Sequence, residues 1–235
     1  MQGAVTQFST NFQTAINPQI TKSYAVGDYA YMHSLIFHSS KFTFLLLATI
    51  SFPVLLETEM ILQLWLETVP NYTAVFVRLM LCTTIIDAMA GAFMVSAQAT
   101  GAVRVYQSVV GGILLTIVPV SYIVLKMGAE PWSVFIVHLC VCILAFAVRL
   151  FILCRMIHLS LSGYFTKVLL RCMGVLIIAL PLPLILLYFL SDTFINSIMV
   201  CLSGLLAMLF SSYVIGLVSN ERKFIKDKIL LFLKL

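Results

Sequence analysis

Charge is what this sequence has least of: Asp, Glu, Lys and Arg make up 10% of its 235 residues, where soluble domains carry roughly a quarter. So few polar side chains cannot wet the exterior of a globular fold, which excludes a soluble domain. With 62% hydrophobic residues and a mean hydropathy of +1.09, the surplus apolar surface has to face lipid. The alternating polarity of a β-barrel is also missing. The long apolar runs must therefore be helices, which satisfy their own backbone hydrogen bonds in hydrocarbon. Absent too are G-x-S-x-G, H-E-x-x-H and G-x-x-x-x-G-K-[ST], so no enzyme, catalytic residue or cofactor is expected. Residues 1–19 are too polar for the hydrophobic core of a cleavable signal peptide.

Cysteine is present without a metal pattern. Cys82, Cys140, Cys142, Cys172 and Cys201 lie in apolar runs, and Cys154 sits near a helix end. Cys140-x-Cys142 directs its sulfurs to different helix faces, and no second pair has zinc spacing. Packing is expected, and no metal. The net charge of +5 is not a nucleic-acid footprint, because Lys and Arg sit in short connections and at the C-terminus. Asn71-Tyr72-Thr73 is a glycosylation sequon of a kind that arises by chance and carries no weight.

What is there is a series of apolar stretches long enough for a bilayer, at 42–60, 75–98, 106–126, 132–154, 168–190 and 194–218. The expected fold is an all-α integral membrane protein of about six transmembrane helices plus a partial first helix. Pro53, Pro119, Pro181 and Pro183 fall inside spans and predict kinks. Positive charge alternates along the connections. Lys22 and Lys41 lie in the first, Arg104 in the third, and Arg155, Lys167 and Arg171 in the fifth. The second carries Glu67 and the sixth Asp192, while the tail holds Arg222, Lys223, Lys226, Lys228 and Lys234. This bias places the first connection and the C-terminus on the cytoplasmic side, with only Arg78 and Lys126 near the outer one. The chain thus divides into the end of a truncated helix (1–24), a cytoplasmic connection (25–41), four transmembrane helices (42–154), two more (155–218) and a basic cytoplasmic tail (219–235).

Three segments depart from the apolar pattern. Residues 4–24 carry Gln, Asn, Ser and Thr throughout and are shortened by Pro18 as a break, so they suit the wall of a polar cavity better than lipid. Tyr29–Lys41 reads as an interfacial helix with His33 and His38 at headgroup depth, and Glu59–Leu66 as a short amphipathic helix anchored outside by Trp65. Glu221–Leu235 is either a helix on the anionic leaflet or a solvated terminal one.

Ionisable residues inside the spans are the candidates for chemistry. Asp87 sits near the middle of the 75–98 helix, where a charge against lipid would cost about 2.5–3.5 kcal/mol. Thr84, Asp87, Gly91 and Gln98 follow three- and four-residue steps, so they share a face that should look into the bundle or a wet cavity. Asp87 is the candidate for ion coupling, with a hydrogen-bonded lock between two helices as the alternative. His138, Cys142, Ala145 and Arg149 share another face. Arg149 is near enough to the cytoplasmic end to snorkel, or it projects into a cavity and binds an anionic group. Arg78 stands at the outer end, with either a local ion pair to Glu57, Glu59 or Glu67 or a phosphate contact to make. Arg78, Arg149 and Gln98 are the candidate substrate contacts.

The run Asn17-Pro18-Gln19-Ile20-Thr21-Lys22-Ser23-Tyr24-Ala25-Val26-Gly27-Asp28 resembles a segment of Wzx-type polysaccharide flippases of the multidrug/oligosaccharidyl-lipid/polysaccharide superfamily. The resemblance continues through Pro53-Val54-Leu55-Leu56-Glu57, Ile61-Leu62-Gln63-Leu64-Trp65-Leu66, Val69-Pro70-Asn71-Tyr72 and Ala99-Thr100-Gly101, and is clearest before Tyr106. It implies a bacterial inner-membrane protein that passes undecaprenyl-diphosphate-linked oligosaccharides to the periplasmic leaflet, for O-antigen or capsule, by alternating access. It also implies a MATE-like fold of two lobes. By that resemblance this chain would correspond to the C-terminal half, with the first lobe missing, and is expected to be a fragment, a remnant or the product of a mis-called start. The implied partners are the lipid-linked oligosaccharide, the bilayer, the missing lobe and the polysaccharide polymerase machinery, with no nucleic acid. A multidrug cation antiporter of the same superfamily is the nearest alternative, although Arg78 and Arg149 favour an anionic substrate. A glycan-assembly enzyme is disfavoured by the short outer loops and by His138 lacking an acidic neighbour. A non-transporting membrane partner is a third class.

Overall fold

The computed structural model describes residues 2–66, 68–190, 193–218 and 221–222. Glu67, Asp192, Lys223, Lys226, Lys228 and Lys234, on which the charge pattern partly rests, lie outside the described residues, as does most of the expected tail. Among the described residues there is no strand. Six helical runs among these residues are long and apolar enough to cross a membrane: Tyr29–Leu56, Thr73–Ala99, Val103–Lys126, Ser133–Ile157, Leu161–Phe189 and Phe194–Gly216. The chain is an all-α, multi-pass membrane protein.

Helix α1 (Gln2–Val26) precedes the first apolar span and packs along α2 (Tyr29–Leu56). Pro18 does not break it. Neighbouring helices hold α1 on both sides of the proline, with Ile20 fully buried, and a proline whose lost hydrogen bond is compensated by packing is tolerated in a membrane helix. The chain then reverses at Gly27, whose φ of 79° suits a residue without a Cβ, and the Asp28 carboxylate caps α2 by accepting from the Tyr31 N–H at 3.0 Å.

The segment expected as an interfacial helix is instead the opening of α2, and the cytoplasmic connection expected at 25–41 shrinks to Gly27 and Asp28. Several of its polar residues face protein. Ser40 donates to the Met89 carbonyl at 2.8 Å, and His33 Nε2 donates to that of Ile157 at 2.8 Å. Lys41 lies inside the helix, buried, so it does not belong to a connection as the charge pattern assumed.

The short helix after α2 forms as expected, as α3 (Thr58–Trp65) with Trp65 exposed. Three of the remaining spans are interrupted. The second consists of α4 (Thr73–Met89) and α5 (Gly91–Ala99), the third of α6 (Val103–Leu115) and α7 (Ile117–Lys126). Helix α8 (Ser133–Ile157) is unbroken. The fifth span runs through α9 (Leu161–Tyr164), a π-helical turn (Phe165–Leu169), α10 (Leu170–Ala179) and α11 (Pro181–Phe189). The last is α12 (Phe194–Ser211) followed by a second π-helical turn (Ser212–Gly216). The predicted kinks at Pro119, Pro181 and Pro183 take the form of helix restarts, because a missing N–H cannot reach the carbonyl four residues back. Pro53 lies within α2 without interrupting it.

Where helices meet, Phe37, Phe93, Phe146 and Tyr164 form an aromatic cluster with ring centroids 5.4–6.2 Å apart. Tyr164 and Phe93 are fully buried. The cluster ties α2, α5, α8 and the fifth span into one core, while α10 to α12 turn Leu170, Ile177, Leu184, Leu206 and Phe210 outward.

Candidate functional site

The interruption between α4 and α5 builds the site. At Ala90 the helix tightens, with the Ala90 N–H donating to Asp87 and the Phe93 N–H to Ala90, both at 3.0 Å. Carbonyls on the preceding turn then need other donors. Gln13 of α1 supplies its Nε2 to Ala88 at 2.8 Å, and Ser40 of α2 supplies its hydroxyl to Met89. Gly91 makes the first contact possible, since a Cβ there would lie 2.2 Å from Gln13 Oε1. Three helices thus converge on one polar break inside the second span.

Beside it lies a cavity of about 360 Å³. Helix α1 contributes Thr6, Ser9, Thr10 and Gln13 to its wall, and α4 contributes Thr83, Thr84 and Asp87. His138 and Cys142 of α8 complete the polar side, with Gly91 at the break and Leu114 of α6 at the edge. The hydroxyls of Thr10, Thr83 and Thr84 donate to carbonyls of their own helices at 2.8–3.0 Å, so their oxygen lone pairs are turned to the cavity as acceptors. Helix α1 therefore forms a cavity wall, as its composition led us to expect.

Asp87 and Arg149 meet. The guanidinium Nη1 donates to Asp87 Oδ1 at 2.7 Å, the Arg149 side chain being 13% exposed and that of Asp87 58%. Arg149 does not snorkel to the membrane surface: a carboxylate across α4 gives the guanidinium a charge-assisted partner inside the bundle. The carboxylate rather than the guanidinium faces the cavity. Arg78 stands apart near the start of α4, donating from Nε to Thr58 Oγ1 at 3.2 Å and lying 3.7 Å from Glu59, the local pair that was one of its two expected roles. Gln98 is exposed at the far end of α5 and does not line the cavity. Of the four candidate residues, the cavity wall includes Asp87.

Sequence reasoning did not single out Gln13 and Ser40, since their role depends on a break that no proline marks. The one available signal was the run Ala88-Met89-Ala90-Gly91-Ala92, whose small residues permit close approach of a neighbouring chain segment.

A second polar cluster lies across α2. Lys41, only 4% exposed, reaches both carboxylate oxygens of Glu221 at 2.8 and 2.6 Å, and His38 Nε2 lies 2.9 Å from Oε1. Burial pushes the Glu221 carboxyl up, but hydrogen bonds from His38, Lys41 and the Val218 amide, together with the lysine charge, outweigh it and hold the pKa at about 2. Among the described residues no three His, Cys, Asp or Glu side chains gather as metal ligands. Compared with the models of known families, with curated proteins and with solved structures, the chain finds no match.

Proposed function

We propose that this chain is one lobe of a MATE-like transporter, not an enzyme. In this reading it moves undecaprenyl-diphosphate-linked oligosaccharides across a bacterial plasma membrane by alternating access, with its C-terminus cytoplasmic. The observation that carries the reading is the hydroxyl- and amide-lined cavity beside a discontinuous span, in a chain whose outer surface is otherwise largely apolar. A sugar head group does not cross hydrocarbon unaided. Thr6, Thr10, Gln13, Thr83 and Thr84 offer it replacement hydrogen bonds while the lipid tail stays in the bilayer. The likeness of Asn17–Asp28 to flippase sequences supports the substrate class.

The Asp87–Arg149 pair gives the site its coupling. A diphosphate competes with Asp87 for the guanidinium, and a proton on Asp87 releases it, so substrate and ion act on the same bond. Arg78 and Gln98 serve as peripheral contacts at the two ends of the path. A first lobe closes the cavity, and polymerase machinery receives the product. The test is translocation of a fluorescent lipid-linked oligosaccharide in proteoliposomes, read by an impermeant quencher. Translocation should be present, and Asp87→Asn should abolish its dependence on an ion gradient while the protein still inserts.

One observation favours the cation antiporter as a second reading: the cavity presents the exposed Asp87 carboxylate, and Arg149 stands behind it. Efflux of an organic cation from the same vesicles, with the sugar lipid left in place, would select that reading.

A further inference from the structure

Beyond the last span a cation stands without a carboxylate. The neighbouring Glu221 is already engaged by Lys41, His38 and the Val218 amide. Arg222 donates from Nε to the Leu217 carbonyl at 3.1 Å and from Nη2 to that of Val214, and its guanidinium lies 5.7 Å from the Tyr213 ring centroid. Two of its N–H groups are thereby engaged, and among the described residues it forms no ion pair. The other N–H groups of the fork keep its charge, in a direction fixed by the carbonyls. Tyr213 and Leu217 are also walls of a groove of about 420 Å³ between α1, α2 and α12, which Phe12, Phe42, Ile50 and Leu209 help to line. From Phe42 to Ile50 the groove follows α2 for about 12 Å. The Thr49 hydroxyl in its wall already donates to the Leu45 carbonyl at 2.6 Å. Leu209 and Tyr213 are about half exposed and share the outward side of α12 with Leu206 and Phe210, so the groove is continuous with the lipid-facing surface.

We propose that this groove binds an anionic phospholipid of the bilayer, one acyl chain lying along α2 and the headgroup phosphate on the Arg222 guanidinium. The two parts of the site together select an amphiphile. An extended peptide would strand its backbone N–H and C=O groups against the apolar walls, whereas an acyl chain has none to satisfy. The uncompensated guanidinium selects a negative headgroup and suits phosphate oxygens, which it can meet in pairs. A zwitterionic lipid carries its own ammonium beside the phosphate and answers the cation less well. A helix from another polypeptide would fill the groove with a satisfied backbone but leave the charge of Arg222 unanswered. Helix α1 separates this site from the polar cavity, since Phe12 lines the groove and Gln13 the cavity. The proposal therefore does not depend on the transport reading.

The experiment uses the full chain in phosphatidylcholine vesicles carrying a trace of phosphatidylglycerol with a diazirine in its acyl chain, or of phosphatidylcholine with the same chain. After photolysis, adducts are mapped by peptide mass. The phosphatidylglycerol probe should label Leu45, Ile50 and Leu209 about fivefold more than the phosphatidylcholine probe, and the two should label Leu206 equally. Arg222→Gln should bring the phosphatidylglycerol probe down to the phosphatidylcholine level in the groove. Arg222→Lys, which keeps the charge, should retain most of the excess and so separates loss of charge from loss of structure. Equal labelling of the groove by the two probes, or the same excess at Leu206, would mean ordinary annular lipid and overturn the proposal. An excess that survives Arg222→Gln would overturn it too, as would a groove that neither probe labels, the result of a covering polypeptide.

Discussion

At the residue scale, Gly91 matters for the atom it lacks. Gln13 reaches the Ala88 carbonyl because nothing projects from position 91, and a Cβ would come within 2.2–2.5 Å of the amide end of Gln13. That amide can swing away, so Gly91→Ala should not prevent folding. It should instead cost the Ala88 carbonyl its Gln13 donor and leave it the Ala90 N–H, about 0.5–1.5 kcal/mol for one hydrogen bond. Gln13→Ala removes the same donor. The two losses are one loss, so thermal melts of the purified protein should show Gln13→Ala/Gly91→Ala no less stable than either single variant. Additive destabilisation would mean that Gly91 serves some other contact. Asp87, one turn earlier, owes its position to the same junction, which is why a residue with no charge of its own bears on the ion pair.

At the scale of elements, contacts that cross helix boundaries decide which features hydropathy could reveal. The segment after the last span is held to α2 through Glu221, Lys41 and His38. The folded carboxyl of Glu221 sits at about 2, below its ordinary value of 4.5. Its contribution to stability is therefore fully present above about pH 4.5 and is lost as pH falls from there through 2. The melting difference between the wild type and Glu221→Gln should shrink on acidification from about pH 4.5 and vanish near 2. A difference that grows at low pH would place the effect elsewhere. This contact also shows what the sequence leaves hidden. Spans three to six were readable because lipid imposes an apolar length on any helix facing it. The opening of α2 was not, since Ser39, Ser40 and Lys41 are polar yet buried against protein, and a hydropathy window takes polarity for exposure. Asp87 and Arg149 were each readable as charges in apolar surroundings. Their contact was not, because helical spacing fixes the face a residue occupies and leaves open which face of another helix it meets.

For the whole molecule, charge and polarity are distributed separately. Successive helices carry Lys22, Arg104, Arg155 and Lys167 to one end of the bundle, while Glu57, Glu59 and Glu130 lie at the other with Arg78 and Lys126. Between these ends the α10–α12 side is apolar, and the side formed by α1, α4 and α6 is hydroxylic and open. A transport path requires water on the second side at a depth where the first is dry, and thiol chemistry reports that difference directly, since a thiolate forms only where water solvates it. In a background lacking Cys140, which is itself exposed, and Cys142, which lines the cavity, Thr84→Cys and Thr10→Cys should react with an impermeant maleimide about tenfold or more faster than Leu206→Cys, the ratio expected when the thiolate population differs by one pKa unit. Labelling of Thr84→Cys should be slowed by the lipid-linked oligosaccharide, while labelling at Leu206 should not change. Uniformly slow labelling at all three positions would leave the cavity a dry packing defect. The Asp87–Arg149 pair would then be a lock between α4 and α8, the structural role that a carboxylate inside a span has when no water reaches it.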